Sequence, residues 1–136
     1  MTTGRADPFA FIDVRDTEAA EFPLIPPGKT DPVMVLTLAG PIHEKRVALM
    51  DDRRQRLRDA SAKEGRVVLP DAASDREFET ALLVEATLGW TGPAAPEFSP
   101  TLARALYEDK SLSWVRDAVK AALDERQRFT RRSATS

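Results

Sequence analysis

Apolar residues are arranged differently in the two parts of the chain. In the first forty residues they come as short runs rich in β-formers, Phe9-Ala10-Phe11-Ile12-Asp13-Val14 and Val33-Met34-Val35-Leu36-Thr37-Leu38, which predict two strands. Between them, four prolines in segment 22–32 forbid a helix and predict an extended, turn-rich connection. Two strands alone are marginal, so the ribbon must lean on helices or on another copy of the chain. Beyond Gly40-Pro41 the apolar spacing becomes helical. Over 42–63, Ile42, Leu49, Met50, Leu57 and Ala60 form a stripe with Val47 beside it, a narrow apolar seam on a long charged helix that Gly65 caps.

Ser74-Asp75-Arg76-Glu77 reads as a capping box. The helix it opens carries Phe78, Ala81, Leu82, Glu85 and Ala86 at core spacing, with Leu83 and Leu88 flanking and Gly89 as a left-handed cap. Ser99-Pro100 predicts the N-cap and first residue of a brief helix bearing Leu102, Ala103, Leu106 and Tyr107, which breaks near Asp109-Lys110. Ser111 or Ser113 then caps a last helix whose stripe is Leu112, Val115, Val119, Ala122 and Leu123, widened by Trp114 and Ala118. The fold class that follows is α+β, mainly α: a small N-terminal antiparallel β-ribbon followed by four helices. A single domain is expected over 9–129, ribbon over 9–40 and helices over 41–129, with a disordered N-terminus at 1–8 and a disordered basic tail at 130–136.

At 136 residues the chain is long enough for one full core and too short for two. Hydrophobic residues at 42% and charged residues at 31% place it among globular chains. A formal net charge of -2 argues against nucleic acid as a partner. The absence of cysteine removes thiolate chemistry and disulfides and fits a reducing compartment. The first residues lack a signal-peptide pattern, and no run approaches the ~20 apolar residues that span a bilayer, so a soluble, intracellular protein with no membrane partner is expected.

No catalytic constellation emerges. His43, the only histidine, has no nucleophile-elbow context and reads as a solvated residue in the first turn of a charged helix. Asp51 and Asp52 are adjacent on a helix and point in different directions, which suits a solvated face better than a metal site. Gly28-Lys29-Thr30 echoes the end of a phosphate-binding loop, but the upstream glycine is missing and Asp31-Pro32 prevents the following helix. Arg53-Arg54-Gln55-Arg56-Leu57-Arg58 lacks interleaved aromatics and is flanked by carboxylates, so it reads as a helix face laced with charge pairs. The chain is therefore expected not to be an enzyme and to need no cofactor or metal.

Aromatic residues are concentrated late in the chain. Phe78, Trp90, Phe98, Tyr107, Trp114 and Phe129 divide between core packing and interface anchoring. Their order carries a resemblance. Gly89-Trp90 after an apolar helix, a Pro/Gly turn, Phe98-Ser99-Pro100, Ala103-Arg104, Leu106-Tyr107, Trp114-Val115-Arg116 with Val119, Ala122 and Asp124, and finally Arg128-Phe129 are similar to tail assembly chaperones of long-tailed phages and prophages. Upstream, an aspartate-containing strand, a proline-rich link, a strand ending in Gly40-Pro41 and a charged helix extend the resemblance over about residues 11–129.

The resemblance implies a factor made in the host cytoplasm that binds the tape measure protein, assists tail-tube protein polymerisation around it, and is absent from the finished virion. Many such proteins exist in a short and a frameshifted longer form, and the C-terminus here is compatible with the short one. A chaperone for a long helical chain needs apolar grooves within a charged surface. The contact residues expected from this are Phe98, Tyr107, Trp114, Phe129, Leu49 and Leu57, with Trp114→Ala or Tyr107→Ala weakening partner binding in a folded protein. A homo-oligomer is compatible with the pattern. The competing readings are a structural head–tail connector or tail-completion protein of the virion, and a small DNA-binding regulator.

Overall fold

Three antiparallel strands meet in the order β2 (Ala19–Leu24), β3 (Met34–Ala39) and β4 (Thr87–Thr91), and helices cover them. A computed structural model describes residues 7–132. Its helices are α1 (Glu44–Glu64), α2 (Ala72–Ala86), α3 (Pro100–Glu108) and α4 (Ser113–Asp124), with short 3₁₀ turns at Lys110–Leu112 and Arg126–Phe129. A two-stranded antiparallel ribbon pairs β1 (Val14–Asp16) with β5 (Thr130–Arg132), the first and last described strands. The fold is α+β and mainly helical.

The first expected strand is displaced. Asp7 to Ile12 forms a turn, because Arg15 donates to Asp7 Oδ2 at 2.8 Å, to Phe9 O at 2.6 Å and to Ile12 O at 3.0 Å. Extended pairing starts only at Val14. The proline-rich segment, expected as an extended, turn-rich connection, begins inside a strand, since β2 runs through Phe22-Pro23-Leu24. Glu18 O accepts from Gly40 N, so hydrogen-bonded pairs fall on the even residues of β2 and the Pro23 nitrogen faces away from β3. An edge strand tolerates proline there. At Thr17 the chain changes partners: the Thr17 amide donates to Phe129 O at 2.6 Å, whereas Glu18 turns to the β3 side.

Helix ends follow local capping, with two shifts from expectation. His43 Nδ1 accepts from the Lys45 amide and opens α1, and Gly65, at φ 69°, closes it. Ser99 caps α3 through Leu102 N, with Pro100 in the first turn, as its sequence predicts. However, α2 begins at Ala72 with Asp71 as its cap, accepting from Ser74 N at 2.7 Å, so Ser74 is a capped residue and not the cap. Neither Ser111 nor Ser113 caps α4; Asp109 caps the preceding 3₁₀ turn.

The largest revision lies after α2. Gly89 is not a left-handed cap: among the described glycines, positive φ occurs at Gly28 and Gly65. The chain passes straight from Ala86 into β4, pairing Trp90 with Leu36 and Gly89 with Thr37, with an irregularity at Thr37/Leu38. Segment 41–129 is therefore not wholly helical. Thr130–Arg132, expected within a disordered tail, pairs with β1 instead; residues 1–6 and 133–136 lie outside the described residues.

The core gathers Leu24, Leu36, Leu38 and Ala39 of the sheet with Leu83 and Ala86 of α2, Ala103 and Tyr107 of α3, and the α4 stripe Val115, Val119, Ala122 and Leu123. Phe129 closes its base with no exposed surface. On α2 the core-facing residues are Thr80, Leu83 and Ala86, while Glu85 is exposed and Phe78, Ala81 and Leu82 are half-buried on another side. The helix has two apolar sides, and the expected stripe mixed them.

Candidate partner-binding groove between α1 and α2

Helix α1 runs for 21 residues without fully burying a single side chain. Its inner side is the half-buried series Arg46, Leu49, Arg53, Leu57 and Ala60, spaced by three or four residues. Two of these five are arginines, and they supply much of what holds the helix down. Arg46 donates to Ala39 O at 3.1 Å and Leu123 O at 3.4 Å, and its guanidinium lies 5.8 Å from the centre of the Phe129 ring. Burial pulls the Arg46 pKa below its usual value, with Asp124 working in the opposite direction. Arg53 lies 4.1 Å over the Phe78 ring and pairs with Asp75.

This attachment leaves hollows beside the seam. One of about 300 Å³ has an apolar floor of Leu49, Leu57, Phe78 and Ala81. Its rim is charged, with Asp52, Arg53 and Arg56 from α1, Glu77 from α2 and Arg104 from α3. A second of about 300 Å³ lies along Pro41, Val47, Met50 and Leu82, where Val47 and Met50 are exposed. The combination of apolar floor and charged rim suits an amphipathic helix laid into a groove.

The six expected contact residues separate. Leu49 and Leu57 line the groove. Phe98 is half-buried and meets Trp90 edge-on, at 4.8 Å between ring centres and 85° between planes, while Trp90 Nε1 donates to Pro96 O at 2.7 Å. Trp114 is half-buried against the core. Tyr107 and Phe129 are core residues, 2% and 0% exposed, so neither is a surface contact and Tyr107→Ala perturbs folding first. The reason is tertiary: Tyr107 faces α2 and β4, and Phe129 fills the space under Gly40. Sequence reasoning missed Phe78 and Ala81, assigned to the core, Arg53 and Arg56, assigned to a solvated face, and Arg104, which was given no contact role. The available signal was the width of the α2 apolar pattern, too broad for one buried side.

Behind the groove, α2, α3 and α4 are tied by two buried polar arrangements. Thr87 Oγ1 donates to Leu83 O at 2.7 Å and lies 2.6 Å from Tyr107 Oη. The single Thr87 proton is thus committed, and Tyr107 is the donor to Thr87. Arg116, 5% exposed, donates to Glu79 Oε1 at 2.8 Å, to Tyr107 O at 3.2 Å and to Arg76 O at 3.4 Å, and Lys120 reaches Glu79 Oε2 at 2.9 Å. Among the described residues every buried side-chain polar atom has a partner. These contacts make α2 a firm base for the groove.

Among the described residues, no three of His, Asp and Glu gather to hold a metal ion, and no helix is long and apolar enough to cross a membrane. Comparison of the chain with protein-family models, with curated proteins and with solved structures finds no match.

Proposed function

We propose that this chain is a non-catalytic assembly chaperone of a long-tailed phage or prophage, which binds the tape measure protein in the host cytoplasm while the tail-tube protein polymerises around it. The observation that carries the reading is the state of α1, a long helix with no fully buried side chain lying beside an apolar-floored groove. A helix held this lightly leaves apolar surface available to a helical client, and its charged outer face keeps the pair in solution. The similarity of the Phe98-Ser99-Pro100, Leu106-Tyr107 and Arg128-Phe129 order to tail assembly chaperones supplies the identity of the client.

Co-expression with a tape measure protein of a long-tailed phage tests this directly. The expected result is co-purification in a soluble complex, together with absence of the chain from purified virions by mass spectrometry. Presence in virions at stoichiometric amount refutes the chaperone reading in favour of a connector or tail-completion protein. Salt-sensitive DNA binding without client binding refutes it in favour of a regulator.

A further inference from the structure

We infer that the exposed knuckle carrying Phe9, Phe11 and Ile12 docks in the α1–α2 groove of a second copy of this chain, so that two copies cap each other's grooves. The inference rests on the groove being a docking site, as the reading above does. The knuckle is a built feature. Ala10 N donates to Asp7 O at 3.2 Å and Ile12 N to Phe9 O at 2.9 Å, which makes two successive turns. Phe9 N donates to Asp7 Oδ1 at 2.8 Å, and Arg15 ties Asp7, Phe9 O and Ile12 O together from one side. Polar groups thus hold the loop, while Phe9, Phe11 and Ile12 stay 58%, 80% and 48% exposed. A loop already fixed in shape loses little freedom on binding.

Charge and area select the occupant. The rim arginines are each paired within the chain, Arg53 with Asp75, Arg56 with Asp52 and Arg104 with Glu108. Glu77, the remaining rim carboxylate, disfavours an acidic occupant. The groove therefore offers an apolar floor of Leu49, Leu57, Phe78 and Ala81 and asks for no charge in return. Segment 8–12, Pro-Phe-Ala-Phe-Ile, carries none. At about 200 Å² for an aromatic side chain and somewhat less for isoleucine, the knuckle exposes roughly 350 Å² of apolar surface. A reciprocal pair of such contacts, counting knuckle and groove, buries roughly 1,400 Å², within the range of specific interfaces. Val67 and Leu69 are about as exposed but lack the aromatic rings that anchor interfaces, which makes them the natural control. Docking in this way covers the apolar floor until a client displaces the knuckle.

The test uses the full chain in sedimentation velocity over a range of concentrations. A concentration-dependent dimer is expected. Phe11→Ser, at a position too exposed to affect folding, is expected to raise its dissociation constant on the order of tenfold or more, with an unchanged circular dichroism spectrum. Leu69→Ser is expected to leave the dissociation constant unchanged. Because the chain has no cysteine, single cysteines report position. Ala10→Cys on one tagged copy and Glu77→Cys on a differently tagged copy are expected to join through a short bismaleimide, whereas Leu69→Cys and Glu77→Cys are not.

A chain that stays monomeric at every concentration overturns the inference, and so does a dimer that Phe11→Ser leaves intact. Equal weakening by Leu69→Ser, or crosslinking of Leu69→Cys in place of Ala10→Cys, overturns it in favour of another contact. None of these results touches the client reading, which stands or falls with the tape measure protein. Loss of that client with self-association intact sinks the chaperone reading alone.

Discussion

Tyr107→Phe isolates one hydroxyl and predicts a pH-dependent reversal of stability. The ring remains, so packing is kept, but Thr87 loses the proton it accepts while its own stays on Leu83 O. An orphaned buried acceptor costs about 1–2 kcal/mol, which lowers Tm by roughly 3–10 °C for a chain of this size. Burial, opposed in part by the bond to Thr87, pushes the Tyr107 pKa from 10.0 up to about 12. The folded state therefore holds its proton more tightly than the unfolded chain. The associated stability is fully present below pH 10.0 and is lost as pH rises through about 12. A rise of that size corresponds to about 2.7 kcal/mol, at about 1.36 kcal/mol per tenfold change. The variant has no such proton to lose. It is expected to be the less stable protein at neutral pH and to draw level with or overtake the parent near pH 12. Lysine titration over that range is common to both proteins and cancels in the difference. Urea denaturation of both across alkaline pH measures the gap. Because Tyr107 is the only tyrosine, tyrosinate absorbance follows its ionisation without overlap. A stability gap that stays constant with pH, or a folded-state titration at 10.0, refutes the buried-donor argument.

Other predictions test different joints of the fold. Glu79→Gln leaves the buried Arg116 without a carboxylate and is expected to lower stability by about 1–3 kcal/mol in urea melts. The Glu79 pKa lies below its usual 4.5, chiefly through the Lys120 hydrogen bond, with burial opposing and Arg116 adding to it. Its contribution is thus present above pH 4.5 and lost as pH falls through the depressed value, so the variant's acid unfolding curve should be flatter than the parent's. Gly40→Ala would place a Cβ 2.6 Å from Thr17 O and 3.1 Å from Phe129 Cβ and Cδ1, and is expected to cost about 1–3 kcal/mol in the same assay. Tyr107→Ala opens a core cavity on the order of 3–5 kcal/mol, visible as unfolding by circular dichroism, not as a selective loss of binding. Met50→Lys, on the exposed side of α1, is expected to change stability by no more than about 0.5 kcal/mol.

Much of the helical architecture is legible in the sequence. The Ser99 cap, Pro100, the Gly65 cap and the α4 stripe each depend on bonds or contacts within a few residues, and local chemistry determines them. The candidate groove was half legible: Leu49 and Leu57 stood out on a seam too narrow for a buried helix, but their partners Phe78 and Ala81 did not. A half-buried apolar residue and a core one look alike along the chain.

By itself the sequence determined a mainly helical α+β domain with a long charged helix and a cluster of late aromatics. Only the tertiary structure decided how those parts are used. Leu88-Gly89-Trp90 ends a helical pattern and reads as a cap; pairing with β3, far away in sequence, makes it a strand. Pro23 reads as part of an extended connection; an edge position that turns its nitrogen outward lets it belong to a strand. Tyr107 and Phe129 read as exposed anchors until α2, β4 and Gly40 close over them, whereas α1 stays lightly packed because two of the five residues on its inner side are arginines. Local patterns specify which residues are apolar and where helices start. Which apolar residues remain available to a partner depends on non-local packing, and that was decided when sheet and helices came together.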